Sequence, residues 1–235
     1  AEVGRLAVRS AGKLRRREHV LFLIRKLENP FVKEEAASAL EKYGSRVVGT
    51  LSDYLADSEE NLELRKAVAS VLARIATQEA ADFLIWELQE AKEDILTEII
   101  DALDEIRSSK PNTKFREEIV RTQIAVQIEN YCRSLVRFDD RKAEEKKGRE
   151  LEKKLEISLM NIFKFLGLIY PHEDIMKAYQ NMKTGTKESV AYALELLDNT
   201  LKKDVKEILL PIIEDIPLEE RVKRCRSFLK PLSDF

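Results

Sequence analysis

Apolar residues return every three or four positions along almost the whole chain, and no stretch sustains the every-second-residue alternation of a half-buried strand. Spacing of that kind gathers them on one face of a helix. Val47, Val48, Leu51 and Leu55 form one stripe; Leu64, Val68, Val71, Leu72 and Ile75 form the next. Ile119, Ile124, Ile128, Tyr131, Leu135 and Phe138 follow, then Leu151, Leu155, Leu159, Ile162 and Leu166. Val190, Ala193, Leu194, Leu197 and Leu201 continue the pattern, as do Val205, Ile208, Leu209, Ile212 and Ile213. Seven Gly and six Pro in 235 residues supply too few turns for an all-β fold. With 44% apolar residues there is enough hydrophobic surface for a core, which argues against disorder. The expected fold class is all-α.

Short breaks separate the helices. Asn29-Pro30 closes a helix beginning near Glu18, and Tyr43-Gly44-Ser45 closes the next. Asp57 to Asn61 is a polar turn, and Thr77 is placed to cap a helix starting near Gln78. Ser108–Asn112, Pro171, Thr184-Gly185-Thr186 and Pro217 punctuate the rest.

Three segments then align with one another. Val32 to Leu40, Leu64 to Leu72 and Ile95 to Leu103 each open on an apolar residue, carry a small or branched one four positions later, and end on a leucine eight positions later. The closing leucines stand 32 and 31 residues apart, a period that marks stacked structural repeats. These residues resemble the second helix of HEAT (armadillo-like) repeats, which opens on a Val-Arg-like pair. Val32-Lys33 and Leu64-Arg65 match that opening; Ile95-Leu96 departs from it. Leu209-Leu210-Pro211-Ile212-Ile213 resembles a HEAT first helix, whose proline would kink it. The resemblance covers about 18–108 and 171–229 and implies a right-handed helical-hairpin solenoid, a HEAT-like superhelix.

Residues 112–170 break the period and read as two longer helices, about Thr113–Phe138 and Arg141–Ile169, joined at Phe138-Asp139-Asp140-Arg141 with Asp140 as N-cap. The dense charge from Arg141 to Lys154, with Gly148 inside it, reads either as an interaction tip or as a solvated, salt-bridged extension; the second is favoured. The expected organisation is a basic segment at 1–17, repeats over 18–110, an elongated hairpin over 111–170, and repeats with a C-terminal cap over 171–235, all in one continuous solenoid. The helix Leu218–Leu232 and the charged N-terminal segment are the expected caps. Six layers of helices, each about 10 Å across, would make a curved rod roughly 60 Å long.

The chemistry expected of the sequence is sparse: no catalytic residue, no cofactor and no metal site. His19 and His172 both stand at expected helix starts, and the acids of His172-Glu173-Asp174 complement a helix dipole there. Cys132 and Cys225 are too few for a disulfide scaffold or a four-cysteine zinc site, and read as small buried hydrophobes. Trp86 is flanked by Phe83-Leu84-Ile85 and Leu88, which favours a core or inter-repeat place over a binding surface. Arg65 and Lys66 are candidates to face a concave surface.

Charge is nearly balanced overall, with 41 basic and 43 acidic residues, which disfavours a general nucleic-acid binder. Its distribution is uneven. Residues 1–27 hold eight Lys/Arg and two acids, a net +6, including Arg15-Arg16-Arg17. Residues 56–109 hold fourteen acids and five bases, a net −9. The Arg15, Arg16, Arg17 cluster has two readings, a membrane- or phosphate-facing patch and a solvated cap. The most apolar window, Ile157 to Pro171, is interrupted by Lys164 and falls short of the ~20 residues a spanning helix needs. No secretory signal pattern opens the chain, and its start at Ala1 rather than Met is what a processed product or a piece of a longer protein would give.

Asn161 to Pro171, Ala193 to Asn199 and Leu209-Leu210-Pro211 resemble a soluble HEAT-type module of bacterial ATP/ADP carrier-like membrane proteins, over about 155–216. That resemblance implies a cytoplasmic module of a nucleotide-transporter-like membrane protein, and basic residues near a span fit the cytoplasmic side. The expected function is a non-catalytic protein-interaction scaffold whose partner is another protein or protein segment. A freestanding soluble adaptor is the runner-up. A HEAT-type alkylpurine DNA glycosylase is the enzyme alternative, disfavoured by one Trp, the acidic balance and the absence of an assignable catalytic carboxylate.

Overall fold

The structure, a computed structural model, describes residues 2–140, 145–214 and 216–229, and every regular element among them is helical. Contacts divide the chain into two compact units, 1–116 and 117–235.

The first unit contains α1 (Glu2–Leu14), α2 (Val20–Lys26), α3 (Lys33–Glu41), α4 (Val48–Ala56), α5 (Leu62–Ile75), α6 (Gln78–Glu87) and α7 (Glu93–Ser109). Short 3-10 turns at Arg17–His19 and Gly44–Val47 lead into α2 and α4. The caps are local chemistry: Asn61 Oδ1 accepts from the Glu63 amide at 2.8 Å and Thr77 Oγ1 from the Ala80 amide at 3.2 Å. Each satisfies a backbone donor that the first helical turn leaves unpaired. Ala76 then ends α5 in the left-handed region, at φ 48°.

Helices α3, α5 and α7 pack in succession, α1 lies on α3, and α4 and α6 pack against α5 and against each other. The aligned positions explain that succession. Val32, Ala36 and Leu40, then Leu64, Val68 and Leu72, then Ile95, Ile99 and Leu103 are all buried. One face of each helix is therefore apolar at the same three heights, and each such side chain contributes roughly 1.5–3 kcal/mol on leaving water, less for alanine. Polar ties cross the same seams. From α5, Arg74 donates to Glu34 (2.7 Å), Ser38 (2.8 Å) and Glu41 (2.9 Å) of α3, while Lys66 pairs with Glu98 of α7 at 3.2 Å.

Two expectations need correcting in this unit. Trp86 is 59% exposed rather than in the core. In the run Phe83-Leu84-Ile85-Trp86, successive residues turn about 100° around the helix, so four in a row cannot share one face. Ala81, Leu84, Ile85 and Leu88 take the inner face, and Trp86 points out. Arg65 is buried and does not face a concave surface. Its Nε donates to the Leu55 carbonyl at 2.8 Å, and its guanidinium lies 4.0 Å from the buried Glu87 carboxylate.

The second unit is built on two long helices, α8 (Glu117–Asp140) and α9 (Glu145–Ile169), which pack extensively on one another. Helices α10 (His172–Thr184) and α11 (Lys187–Thr200) form a pair, with α10 resting on α9; α12 (Lys203–Ile213) and α13 (Leu218–Leu229) return to α8. Helix α8 begins four residues later than Thr113 and runs through Phe138–Asp140, where a turn is expected from sequence. Residues 141–144, with Arg141, lie outside the described residues, as do the side chains of Phe138, Asp140 and Leu151 and residues 230–232 of the expected last helix. The core joins Ile124, Ile128 and Leu135 to Ile162, Phe163 and Leu166, and the Phe163 ring sits 5.2 Å from that of Tyr179. His172 packs its ring against Gly167, where a β-carbon would meet Cδ2 at 3.0 Å. Pro211 sits inside α12, near its end. No helix among the described residues is long and apolar enough to cross a membrane.

Candidate functional site

The basic N-terminal residues acquire a definite scaffold. Helix α1 carries Glu2 in its first turn and Lys13 in its last, each complementing the dipole at its own end. Val8, Ala11 and Gly12 are its inner face against α3. Gly12 permits the approach, because a β-carbon there would stand 2.6 Å from Ala39 Cβ and 3.1 Å from its Cα. Arg15 then ends the helix at φ 47°, a conformation that costs a non-glycine residue roughly 1 kcal/mol or more.

That costly turn is held from α3's end. The Tyr43 hydroxyl lies 3.2 Å from the Ala11 carbonyl and 3.1 Å from that of Arg16, and Arg15 Nη1 donates to the Lys42 carbonyl at 3.4 Å. Burial pushes the Tyr43 hydroxyl above its ordinary pKa, with Arg46 pulling the other way. The outcome is a fixed corner from which Arg15, Arg16 and Arg17 project, all three exposed. Arg16 pairs with Glu18 at 3.4 Å.

Beside this corner, α1 and α3 enclose a groove of about 400 Å³ lined by Arg9, Lys13, Lys42, Glu34, Glu35 and Ser38. Its acids are engaged from within the fold. Glu35 meets Arg5 at 3.3 Å and Arg9 at 3.8 Å, and Glu34 accepts from Arg74. Lys13 and Lys42 thus extend the cationic corner along the groove wall. Ser38 Oγ also donates to Glu34 at 3.3 Å. Chemically, the cationic part of such a surface attracts anions.

Elsewhere the titratable clusters tie the fold together. Arg25 grips Glu60 through two bonds of 2.7 and 2.6 Å with its guanidinium 5.1 Å from the Tyr54 ring, and the Arg25 hydrogen bond lowers the Glu60 pKa. Desolvation raises the Glu87 carboxyl, outweighing the opposing pull of Arg65. In the second unit, hydrogen bonds from Lys202 and then Arg121 draw Glu117 down to about 2; Arg121 also bonds Asp204. His19 sits in the 3-10 turn before α2 and His172 at the start of α10. Among the described residues no group of three or more His, Cys, Asp or Glu side chains is placed to hold a metal ion.

The cysteines, 93 positions apart, meet in the α8–α13 seam. Both are fully buried, and their mutual hydrogen bond pushes the Cys132 thiol up and draws Cys225 down. A cavity of about 240 Å³ in the same unit is lined by Tyr131, Tyr179, Leu159, Lys183, Ile212 and Arg221. Neither feature has a local sequence signal, because each depends on which helices pack together. The part played by Tyr43 and the burial of Glu87 are likewise missed from sequence, and for the same reason. No protein-family model, curated protein or solved structure matches the chain.

Proposed function

We propose that this chain is a non-catalytic helical-repeat scaffold that holds another protein or protein segment. In this reading its helical pairs continue as a right-handed, HEAT-like superhelix, with α8 and α9 as the elongated hairpin. The observation that supports it is the common register of the segments at α3, α5 and α7, whose three aligned positions are all buried. Repeats of this kind cannot bury their apolar faces alone, and stacking them leaves an extended surface suited to a macromolecule. The likeness of 161–171, 193–199 and 209–211 to carrier-associated modules supports a cytoplasmic place in a larger nucleotide-transporter-like membrane protein.

The test is affinity capture of the tagged chain from cells, with and without removal of membranes, alongside recovery of the full reading frame. One reproducible protein partner supports the scaffold. Upstream membrane spans in the frame support the carrier version; a partner retained after membrane removal, with no spans, supports the adaptor. Measurable excision of an alkylated base by the purified chain overturns the scaffold reading.

A further inference from the structure

We propose that α1 and the Arg15–Arg17 corner form a contact surface for an anionic lipid bilayer, with α1 lying in the plane of the headgroups. Around the helix, the face packed on α3 is followed first by Arg5, Arg9 and Lys13 and then by Leu6 and Leu14. Those two leucines are 60% and 58% exposed, so a cationic stripe and an apolar stripe run side by side on the outer surface. Phe31, 68% exposed, borders the cationic stripe, its carbonyl accepting from Arg5 Nε at 3.2 Å. Among the described residues nine large apolar side chains are exposed, and five of them, Leu6, Leu14, Leu21, Phe22 and Phe31, fall in the first 31 positions. The same stretch holds the basic excess of +6 over residues 1–27.

The coincidence selects the partner. A polyanion such as a nucleic-acid backbone would neutralise the cations and leave Leu6 and Leu14 wet. A neutral apolar partner would cover the leucines but bring no counter-charge to the neighbouring Lys13, Arg15 and Arg17. An anionic leaflet satisfies both, because its headgroups attract Lys and Arg while the acyl boundary accepts leucine. The fixed Arg15 corner adds pre-organisation, since Tyr43 has already ordered the turn that presents the arginines. This surface goes beyond the scaffold reading, and vesicle binding can fail while a protein partner is retained.

Flotation of the full chain with phosphatidylcholine vesicles, alone or with about one-third phosphatidylglycerol, tests it. Binding to the anionic vesicles alone, weakened by salt, is expected. Leu6→Glu/Leu14→Glu and Arg15→Gln/Arg16→Gln/Arg17→Gln should each weaken it about ten-fold or more with helix content unchanged, these side chains being exposed. Four results would overturn the proposal: no vesicle binding; binding unchanged in the leucine variant; equal competition by inorganic phosphate or duplex DNA; or self-association, disrupted by the leucine variant, that covers the face in solution.

Discussion

The two units reach an all-helical core by different routes. In the first, built of seven helices of 7–17 residues, α3, α5 and α7 repeat one solution: an apolar position, a small or branched one a turn later, and a leucine another turn on. In the second, helices of 24 and 25 residues provide a long platform on which α10, α12 and α13 settle by individual fits. Those fits include the Phe163–Tyr179 ring pair, the ring of His172 over Gly167 and the neighbouring free thiols of Cys132 and Cys225. Periodic packing makes each helix depend on its neighbours along the series. Packing on a hairpin makes many contacts depend on one pair of helices.

The largest expected effects come from cutting the core of either unit. Phe163→Ala should cost the second unit about 3–5 kcal/mol and Leu72→Ala the first about 2–5 kcal/mol. Hydrogen exchange is the readout, since one global unfolding energy is ill-defined for two units. Leu72→Ala should deprotect α3 to α7 and spare α8 and α9; equal loss in both units would mean they unfold as one. Gly12→Ala should cost about 1–3 kcal/mol, because the new β-carbon would meet Ala39 at a distance only backbone movement relieves. Exchange should quicken in α1 before the rest, whereas unchanged protection of α1 would show that α3 gives way freely.

Smaller effects separate the units by sign. Glu117 in the second unit has its pKa drawn to about 2, below its ordinary 4.5, so the stability from its ionised form is complete above 4.5 and drains away as pH falls toward 2. Glu87 in the first unit has its pKa raised, so the folded state holds that proton more tightly and stability is lost as pH climbs past 4.5. At neutral pH Glu117→Gln should therefore lower melting temperature and Glu87→Gln should raise it, with both differences shrinking as the solution is acidified. Melting curves of the two variants and the parent at neutral and acid pH check both signs. A Glu87→Gln variant less stable than the parent at neutral pH would mean that the carboxylate's attraction to Arg65 outweighs its burial.

How legible each feature is in the sequence follows the same division. The helix periodicity, the Thr77 cap and the burial of Leu40, Leu72 and Leu103 are local or periodic, and simple spacing finds them. The reversal at Trp86 and Glu87 is harder, because composition alone favours tryptophan inside and glutamate outside; helical phase decides it in favour of the reverse. Helix α1 is hidden by arginines interleaved with its apolar residues, and its place on α3 depends on an absent β-carbon at Gly12. The cationic cluster is visible as three adjacent arginines, but the corner that fixes them needs Tyr43 from another helix. Pairings such as Cys132 with Cys225 have no sequence period at all.

Small-angle X-ray scattering of the full chain tests the central claim of stacked pairs most directly. A compact globule of 235 residues has a radius of gyration near 17–18 Å by the usual size scaling. A continuous helical stack should give a clearly larger value and a distance distribution skewed toward long separations. A radius at the globular value with a symmetric distribution would contradict the account.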